Sequence, residues 1–512
     1  MAGPPFQTVL VANRGEIAVR ILRTCRDLGI ETVAVFSEAD RNALHVRLAD
    51  RAEPLGPAPA AESYLRAEVL LEAARRSGAQ AVHPGFGFLS ENAAFARAVE
   101  EAGLRFIGPP AQAMSLMGDK LAARRAMREA GVPVIPGTLE PLDSAEEAVE
   151  AAAGIGFPVM LKAAAGGGGK GIRVVRRPEE LEAAFRTASQ EAANAFGDGR
   201  MYLERFLDHP RHIEVQILGD RGGRVRALGE RECSVQRRHQ KLVEECPAPG
   251  LRPEERRALA EAAEAAGRAV GYSSAGTVEF LYQDGDFWFL EMNTRLQVEH
   301  GVTEMVFGLD LVEWMIRIAA GESLEGLDPV PRGHALEVRL NAEDPANGFL
   351  PATGRIEGLR LPAGPGVRVD GALEAGLEIG PWYDSMLGKI LAWGEDREQA
   401  RRRLARALEE LKVTGLPTTG PFARAVLEHP DFAAGRVDTG WLERQVEEGG
   451  LPGPAPAELL EAAALAAAVY RHRRGRRRAA DPAAPGGGAL PAGSPWVLAA
   501  RPSPWNPLGG PS

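Results

Sequence analysis

The stretch 291–300, EMNTRLQVEH, places two carboxylates, two amides, an arginine and a histidine within ten residues. It closes TVEFLYQDGDFWFL (277–290), which reads as a β-hairpin. Taking Asp284, Gly285 and Asp286 as the turn pairs Gln283 with Phe287 and sets Glu279 opposite Glu291. Like charges facing each other across a strand pair are destabilising unless something lies between them. A hard divalent cation does this, because Mg2+ and Mn2+ take carboxylate, carbonyl and phosphate oxygens. Asn293, two residues past Glu291, projects to the same face and offers a neutral oxygen. Glu279, Glu291 and Asn293, with no His or Cys among them, suit a cation that holds a nucleotide. The alternative is a solvated acidic edge.

Upstream, ECSVQRRHQKLVEECPAP (232–249) supplies His239 and Lys241, which share a face if the segment is extended, and PRHIEVQ contributes His212. A lone histidine is more often packing than chemistry, so these gain meaning only in company. KAAAGGGGKG (162–171) invites a phosphate-loop reading, but Ala164 stands where that loop needs glycine and Gly171 where it needs Ser or Thr. Its flanks, FPVMLK and IRVVRR, both read as strands. A glycine-rich turn between strands is a flap whose backbone N–H groups can close over phosphates. Lys162, on the strand leading in, would face those phosphates; the alternative is a surface hairpin.

The elements that must hold these groups follow from periodicity. FQTVLVAN (6–13) is a buried strand leading into the helix GEIAVRILRTCRDLG, where Ile17, Ile21, Cys25 and Leu28 mark one face. ETVAVF, AQAVHPGFG and LRFIGPP continue a strand–helix alternation that predicts a parallel α/β domain ending near residue 115. The lone GFG at 85–87 opens no regular helix and is not a dinucleotide fingerprint. Residues 134–204 form a second unit around the glycine run, and 205–332 are strand-rich, then helical. From HALEVRLNAED the pattern is short strands with Gly/Pro turns, then a helix around DREQARRRLARALEELK.

The chain of 512 residues is too long for one core. Its net charge of −10 opposes a general nucleic-acid binder. Three cysteines are too few for a disulfide framework and lack metal-site spacing. No signal-peptide pattern and no apolar run long enough for a membrane span is present, so a cytoplasmic location is expected. Only six of the 60 basic residues are lysine, at 120, 162, 170, 241, 389 and 412. Where arginine is the default, a surviving lysine marks a place that needs a compact charge on a flexible stem, unless codon bias spared it by accident.

Taken together, GDKLAAR, GGGGKGIR, YLERFLDHPRHIEVQ, ERECSVQRRHQKLVEECPAP, EFLYQDGDFWFLEMNTRLQVEH, HALEVRLNAEDP and YDSMLGKI resemble the biotin carboxylases, a family of ATP-grasp ligases, in order and spacing over residues 6 to about 445. The resemblance implies an α/β and α+β multidomain fold. A parallel α/β domain (1–115) would precede an ATP-grasp domain (116–332) with a mobile glycine-rich lid at about 134–204. A β-rich C-terminal domain (333–446) and an Ala/Pro/Gly-rich tail (447–512) would follow. It also implies carboxylation of biotin at the expense of ATP, with bicarbonate as carboxyl source and carboxyphosphate as intermediate.

Transferred motif by motif, Lys120, Lys162, Gly168, Gly169, His212, Gln236, His239 and Leu281 would contact the nucleotide, and Glu204, Arg205, Phe206 and Leu207 would form the hinge strand for adenine. Glu279, Glu291 and Asn293 would hold two Mg2+ or Mn2+ ions. Lys241, Arg295, Gln297 and Val298 would bind bicarbonate, Glu299 would deprotonate it, and Arg339 would face the biotin ureido oxygen. His300 is assigned to packing. Phe86 stands where the family usually has Tyr, and Gly301 where it usually has Pro.

No lysine follows Lys412 and no Met-Lys-Met occurs, so the biotin carrier and the carboxyltransferase are expected to be separate polypeptides; the resemblance suggests a homodimer. SPWVLAARPSPW in the tail resembles the start of the bridging region in acyl-CoA carboxylase α subunits, against the simpler reading of a largely disordered segment. Another ATP-grasp ligase, such as one making carbamoyl phosphate, would share the nucleotide residues but not Arg339 together with MNTRLQVEH. A non-catalytic nucleotide-binding protein would have lost Lys241, Glu291, Arg295 or Glu299.

Overall fold

FQTVLVAN forms the expected buried strand, β1 (Thr8–Val11), at the centre of a parallel sheet. Around it stand β2 (Glu31–Ser37), β3 (Arg51–Gly56), β4 (Ala81–His83) and β5 (Arg105–Phe106), in the order β3-β2-β1-β4-β5. β3, RAEPLG, does not read as a strand: it carries charges and Pro54, which only an edge strand tolerates, and it lies at the edge. Ile17, Ile21 and Cys25 of the helix Gly15–Asp27 are buried beneath the sheet, while Leu28 caps the helix and is partly buried. After GFG no helix begins until Ala93–Glu101, capped by Asn92.

The computed structural model describes residues 3–164, 172–238 and 240–452; Leu465 and Val469, in a separate unit beginning at Pro454, are helical. Gly168, Gly169 and Lys170 of the glycine run, His239, and nearly all of the tail lie outside the described residues.

β6 (Val159–Ala163), β7 (Arg173–Val175) and β8 (Met201–Arg205) form a small antiparallel sheet in the order β7-β6-β8. The helices Ala145–Ile155 and Leu181–Phe196 cover it and share its core. β8 ends at Arg205, so Phe206 and Leu207, expected on a hinge strand, lie in the loop beyond it.

The largest sheet has eight strands. β9 (Arg211–Gly219), β10 (Val225–Arg237), β11 (Gln240–Cys246), β12 (Ser274–Gln283), β13 (Asp286–Asn293) and β14 (His334–Asn341) are joined by Met386–Gly394 and Val367–Gly371. The order is β13-β12-β9-β10-β11-β14, then Met386–Gly394 and Val367–Gly371, with every pairing antiparallel. The sheet therefore crosses residue 333 without a break, through the β11–β14 ladder. The apolar side chains of its C-terminal end pack on the helix Arg397–Glu410, in a core that continues to Leu451.

The hairpin reaches the expected pairing by another route. Its turn is two residues, Asp284 and Gly285, both at positive φ (+55° and +94°), and Gln283 pairs with Asp286 rather than Phe287. Positive φ at both central residues is the twist-matched turn of two-residue hairpins. That register alone would put Glu279 opposite Leu290. A β-bulge between Glu279 and Phe280 absorbs Leu290, and Glu279 faces Glu291 after all.

Candidate active site

The sheet register builds the site before any ligand is considered. Glu279 on β12 lies opposite Glu291 on one side and Glu214 of β9 on the other, so three carboxylates form one row across three strands. Sequence reasoning finds two of them and misses Glu214, whose only signal is its alternation with His212 in RHIEVQ.

Two cations answer the row. Arg231 of β10, fully buried, donates to Glu214 (2.5 Å), Gln216 (2.7 Å), Thr277 (3.0 Å), Gln297 (2.7 Å) and Thr303 (3.0 Å). Lys241 of β11 donates to Glu214 (2.6 Å), Glu279 (2.9 Å) and Glu299 (2.7 Å). Burial alone would lower the Lys241 pKa, but the three carboxylates outweigh it and keep the ammonium charged. His212 Nε2 lies 3.1 Å from Glu279. Burial disfavours its charged form, yet the Glu279 carboxylate raises it to about 9.

Glu291 is different. It is exposed and accepts no hydrogen bond among the described residues. The charge of Glu279, followed by the surrounding protein, pushes its carboxyl above the ordinary range. His212, Lys241 and Lys120 offset this only in part, so the Glu279–Glu291 pair is the side on which a divalent cation fits. Glu214, Glu279 and His212 also bring ligand atoms within 4.8 Å of one another, but Arg231 and Lys241 already satisfy that side. Asn293 turns its Nδ2 to Glu279 (2.9 Å) and its Oδ1 to Arg295 (2.8 Å). To ligate a cation beside Glu279 its amide has to turn over.

The segment 295–299, which runs into the helix His300–Phe307, is held from every side. Arg295 Nε donates to Glu91 (2.9 Å), a residue of the first domain that also accepts from the Thr294 amide (3.1 Å). Gln297 donates to Glu279 (2.8 Å). The Val298 carbonyl accepts from Lys389 (2.5 Å). Glu299, buried, accepts from Lys241 on one oxygen and from Arg339 on the other (3.0 Å). Burial raises its carboxyl, but Lys241 and then Arg339 override this and hold it down at about 2. Arg339 also donates to the buried Glu244 (2.5 Å). His300 is fully buried, with Nδ1 on the Gln297 carbonyl (2.8 Å), which fastens the segment to itself.

Other expected residues stand apart from this centre. Lys162 pairs with Glu204, whose carboxylate is shared with the buried Arg124. Phe206 donates its amide to Pro158 and Arg205 its amide to Pro136. Gln236 pairs with Lys241 in the β10–β11 ladder, and Leu281 with His212 in the β9–β12 ladder. Lys120 lines a cavity of about 660 Å³ with Asp119, Arg125, Glu140 and Ala164, and its charge is felt at Glu291. A Cβ at Gly301 would sit 2.5 Å from Leu391 Cδ2, so a side chain there requires the buried Leu391 to shift. Phe86 packs partly buried against the first-domain core, and its carbonyl accepts from Asn13 (2.7 Å).

The chain matches known proteins over most of its length. The family model "Biotin carboxylase, N-terminal domain" matches residues 5–114. "Carbamoyl-phosphate synthase L chain, ATP binding domain" matches 119–327, and "Biotin carboxylase C-terminal domain" matches 337–444. The chain is 51% identical over 441 residues to a biotin carboxylase of Nostoc sp., covering 86% of this chain and 99% of that one. It is 50% identical over 442 residues to biotin carboxylase 1 of Bacillus subtilis, covering 86% and 98%. Among solved structures, the biotin carboxylase domain dimer of Hydrogenobacter thermophilus 2-oxoglutarate carboxylase, in complex with MgADP, ADP and bicarbonate, superposes with a TM-score of 0.81 at 47% identity, over 86% of this chain and 98% of that one. The middle match alone would leave the carbamoyl-phosphate rival standing; with the two flanking matches in order around it, the chain belongs to the biotin carboxylase family of ATP-dependent ligases.

Proposed function

We propose that this chain catalyses carboxylation of biotin with ATP and bicarbonate, that Glu299 is its base, and that the biotin arrives on a carrier protein which then serves a carboxyltransferase. The observation that carries the site assignment is the double hold on Glu299, one oxygen on Lys241 and the other on Arg339. Both cations are assigned to substrates, Lys241 to bicarbonate and Arg339 to the biotin ureido oxygen.

A carboxyl held at about 2 is ionised but weakly basic. When bicarbonate draws off Lys241 and biotin draws off Arg339, the Glu299 carboxylate loses both partners and gains basicity as the proton is to be taken. Bicarbonate then attacks the γ-phosphate of ATP, forming carboxyphosphate and ADP. Carboxyphosphate breaks down to CO2 and phosphate; the phosphate takes the biotin N1 proton, and N1 adds to CO2. Arg339 stabilises the negative oxygen formed on the ureido group, while Arg295, held by Glu91 and Asn293, fixes the anion. Lys162 reaches the phosphates by exchanging Glu204 for them. Glu279 and Glu291, with Asn293 turned over, would hold Mg2+ or Mn2+, which when bound neutralises charge on the phosphoryl group being transferred.

The chain is proposed to work as a homodimer, as the Hydrogenobacter domain does, and in a reducing cytoplasm, where three buried unpaired thiols are at home. No helix among the described residues is long and apolar enough to cross a membrane. The purified chain should cleave ATP only with bicarbonate present, faster with free biotin. Glu299→Gln should lower that rate by about 10²-fold or more; near-normal turnover removes the base assignment. Co-purification of a biotinylated protein and a carboxyltransferase with the native chain tests the partners.

A further inference from the structure

Of the six lysines in this arginine-rich chain, Lys389 is the one whose motif, YDSMLGKI, has no task in the site described above. The structure gives it an unusual place. Its side chain has no exposure at all, and its Nζ donates to the Val298 carbonyl at 2.5 Å. Lys389 sits opposite Arg339 in one ladder and opposite Asp370 in the other. Arg339 and Lys389 therefore project from neighbouring strands onto consecutive residues, one holding the Glu299 carboxylate and the other the Val298 carbonyl. Glu16 at 3.7 Å and Asp370 at 3.8 Å keep the ammonium in place from either side. The buried Glu337 close by has neither oxygen hydrogen-bonded. Lys412 shows what an incidental lysine looks like: exposed, and bonded to a carbonyl of its own helix end. The compact ammonium suits a dry gap between strands that a planar guanidinium fork does not.

We propose that Lys389 is the positioning residue of the bicarbonate subsite. By fixing the Val298 carbonyl, it sets the 297–299 backbone so that the Val298 amide and the Glu299 carboxylate converge on the same anion. The inference rests on the assignment of Arg295, Val298 and Glu299 to bicarbonate.

The test is steady-state bicarbonate-dependent ATP cleavage by the full chain with free biotin. The variants are Lys389→Met, the pair Lys389→Met with Glu337→Gln, which removes a neighbouring carboxylate along with the cation, and Glu337→Gln alone as control. Both Lys389 variants should raise the KM for bicarbonate at least about fivefold while the KM for ATP stays within about twofold; the control should change neither. A folded Lys389 variant with a smaller rise in bicarbonate KM, or with both KM values rising together, overturns the proposal. So does failure of both Lys389 variants to fold, which would assign the residue to assembly of the charged cluster. Lys241→Met tests the underlying assignment separately. If it leaves bicarbonate dependence intact, the subsite itself is misplaced, whatever Lys389 does.

Discussion

Arg231 shows how much of a site can hang on a side chain that no motif announces. It is fully buried and bonds five side chains from β9, β12, the 295–299 segment and the following helix. A buried cation with that many partners is tolerable only because Glu214 is ionised beside it. Arg231→Met leaves Glu214 with Lys241 and the more distant His212 (3.7 Å) and strips the oxygens of Gln216 and Gln297 of their donor. We expect a loss of about 3–5 kcal/mol in unfolding free energy by urea titration, against a change within about 0.5 kcal/mol for the exposed Lys412→Ala. Equal effects of the two would mean that the buried network contributes little. Charge makes Glu279 and Glu291 readable from the sequence, because like carboxylates across a strand pair demand an explanation; Lys241 stands out as one of only six lysines, and Arg339 is reached only through the family resemblance of its motif. Arg231, Glu214 and Glu91 are not readable, because their hydrogen-bond partners lie 15 to 204 residues away and little marks them locally.

At the scale of the element, the hairpin carries the metal-side carboxylates through two compensating details. The two-residue turn needs Gly285 at φ +94°, a conformation a β-branched residue resists. A Cβ at Gly285 would meet only ordinary contacts at 3.6 Å, so the cost there is conformational. Gly285→Val should lower the unfolding free energy by about 1–3 kcal/mol, and Asp284→Gly should not; a neutral Gly285→Val would show that the turn is not what sets the register. The bulge at Leu290 then restores Glu279 to Glu291. A three-residue turn predicts the same pairing, and it holds because one extra residue in the strand replaces one in the turn. Alternation of side chains is legible in sequence; the position of a bulge is not, since it depends on what the neighbouring strand offers. The helix His300–Phe307 makes a parallel point. Gly301→Ala would drive a methyl against Leu391, and we expect a cost of about 1–3 kcal/mol, partly recovered by adding Leu391→Val. No recovery would place the clash elsewhere.

Across the whole molecule, the first helix and the C-terminal strands meet in a buried charge cluster. Glu16, from the first domain, lies 3.7 Å from Lys389 on one of those strands. Burial raises its carboxyl to about 7, with Lys389 opposing. An acid whose folded pKa lies above its unfolded value binds its proton more tightly when folded. Stability therefore falls as pH rises from about 4.5 to about 7 and stays at the lower level above that. Glu16→Gln should accordingly stabilise the protein by about 1–3 kcal/mol at pH 8. The gain should shrink to little at pH 4.5; equal effects at both values, in denaturant titrations, would show that Glu16 is not the group responsible.

What the sequence determined by itself was the chemistry and the order of the parts. Strand and helix periods, the crowded EMNTRLQVEH, the glycine run that is not a phosphate loop and the scarcity of lysine are local facts, and they pointed to a nucleotide and a divalent cation; the anionic substrate came from the resemblance of the motifs to a known family. The tertiary structure decided how those charges are tolerated. One antiparallel sheet running from β13 through β14 into the C-terminal strands puts three carboxylates in a row, brings Arg231 and Lys241 to neutralise two of them, and leaves Glu291 open for a cation. The same sheet sets Arg339 and Lys389 side by side on Glu299 and Val298. Those couplings follow from register across strands far apart in the chain, and any other register would leave the buried charges of Glu214, Glu279 and Glu299 without the cations that hold them.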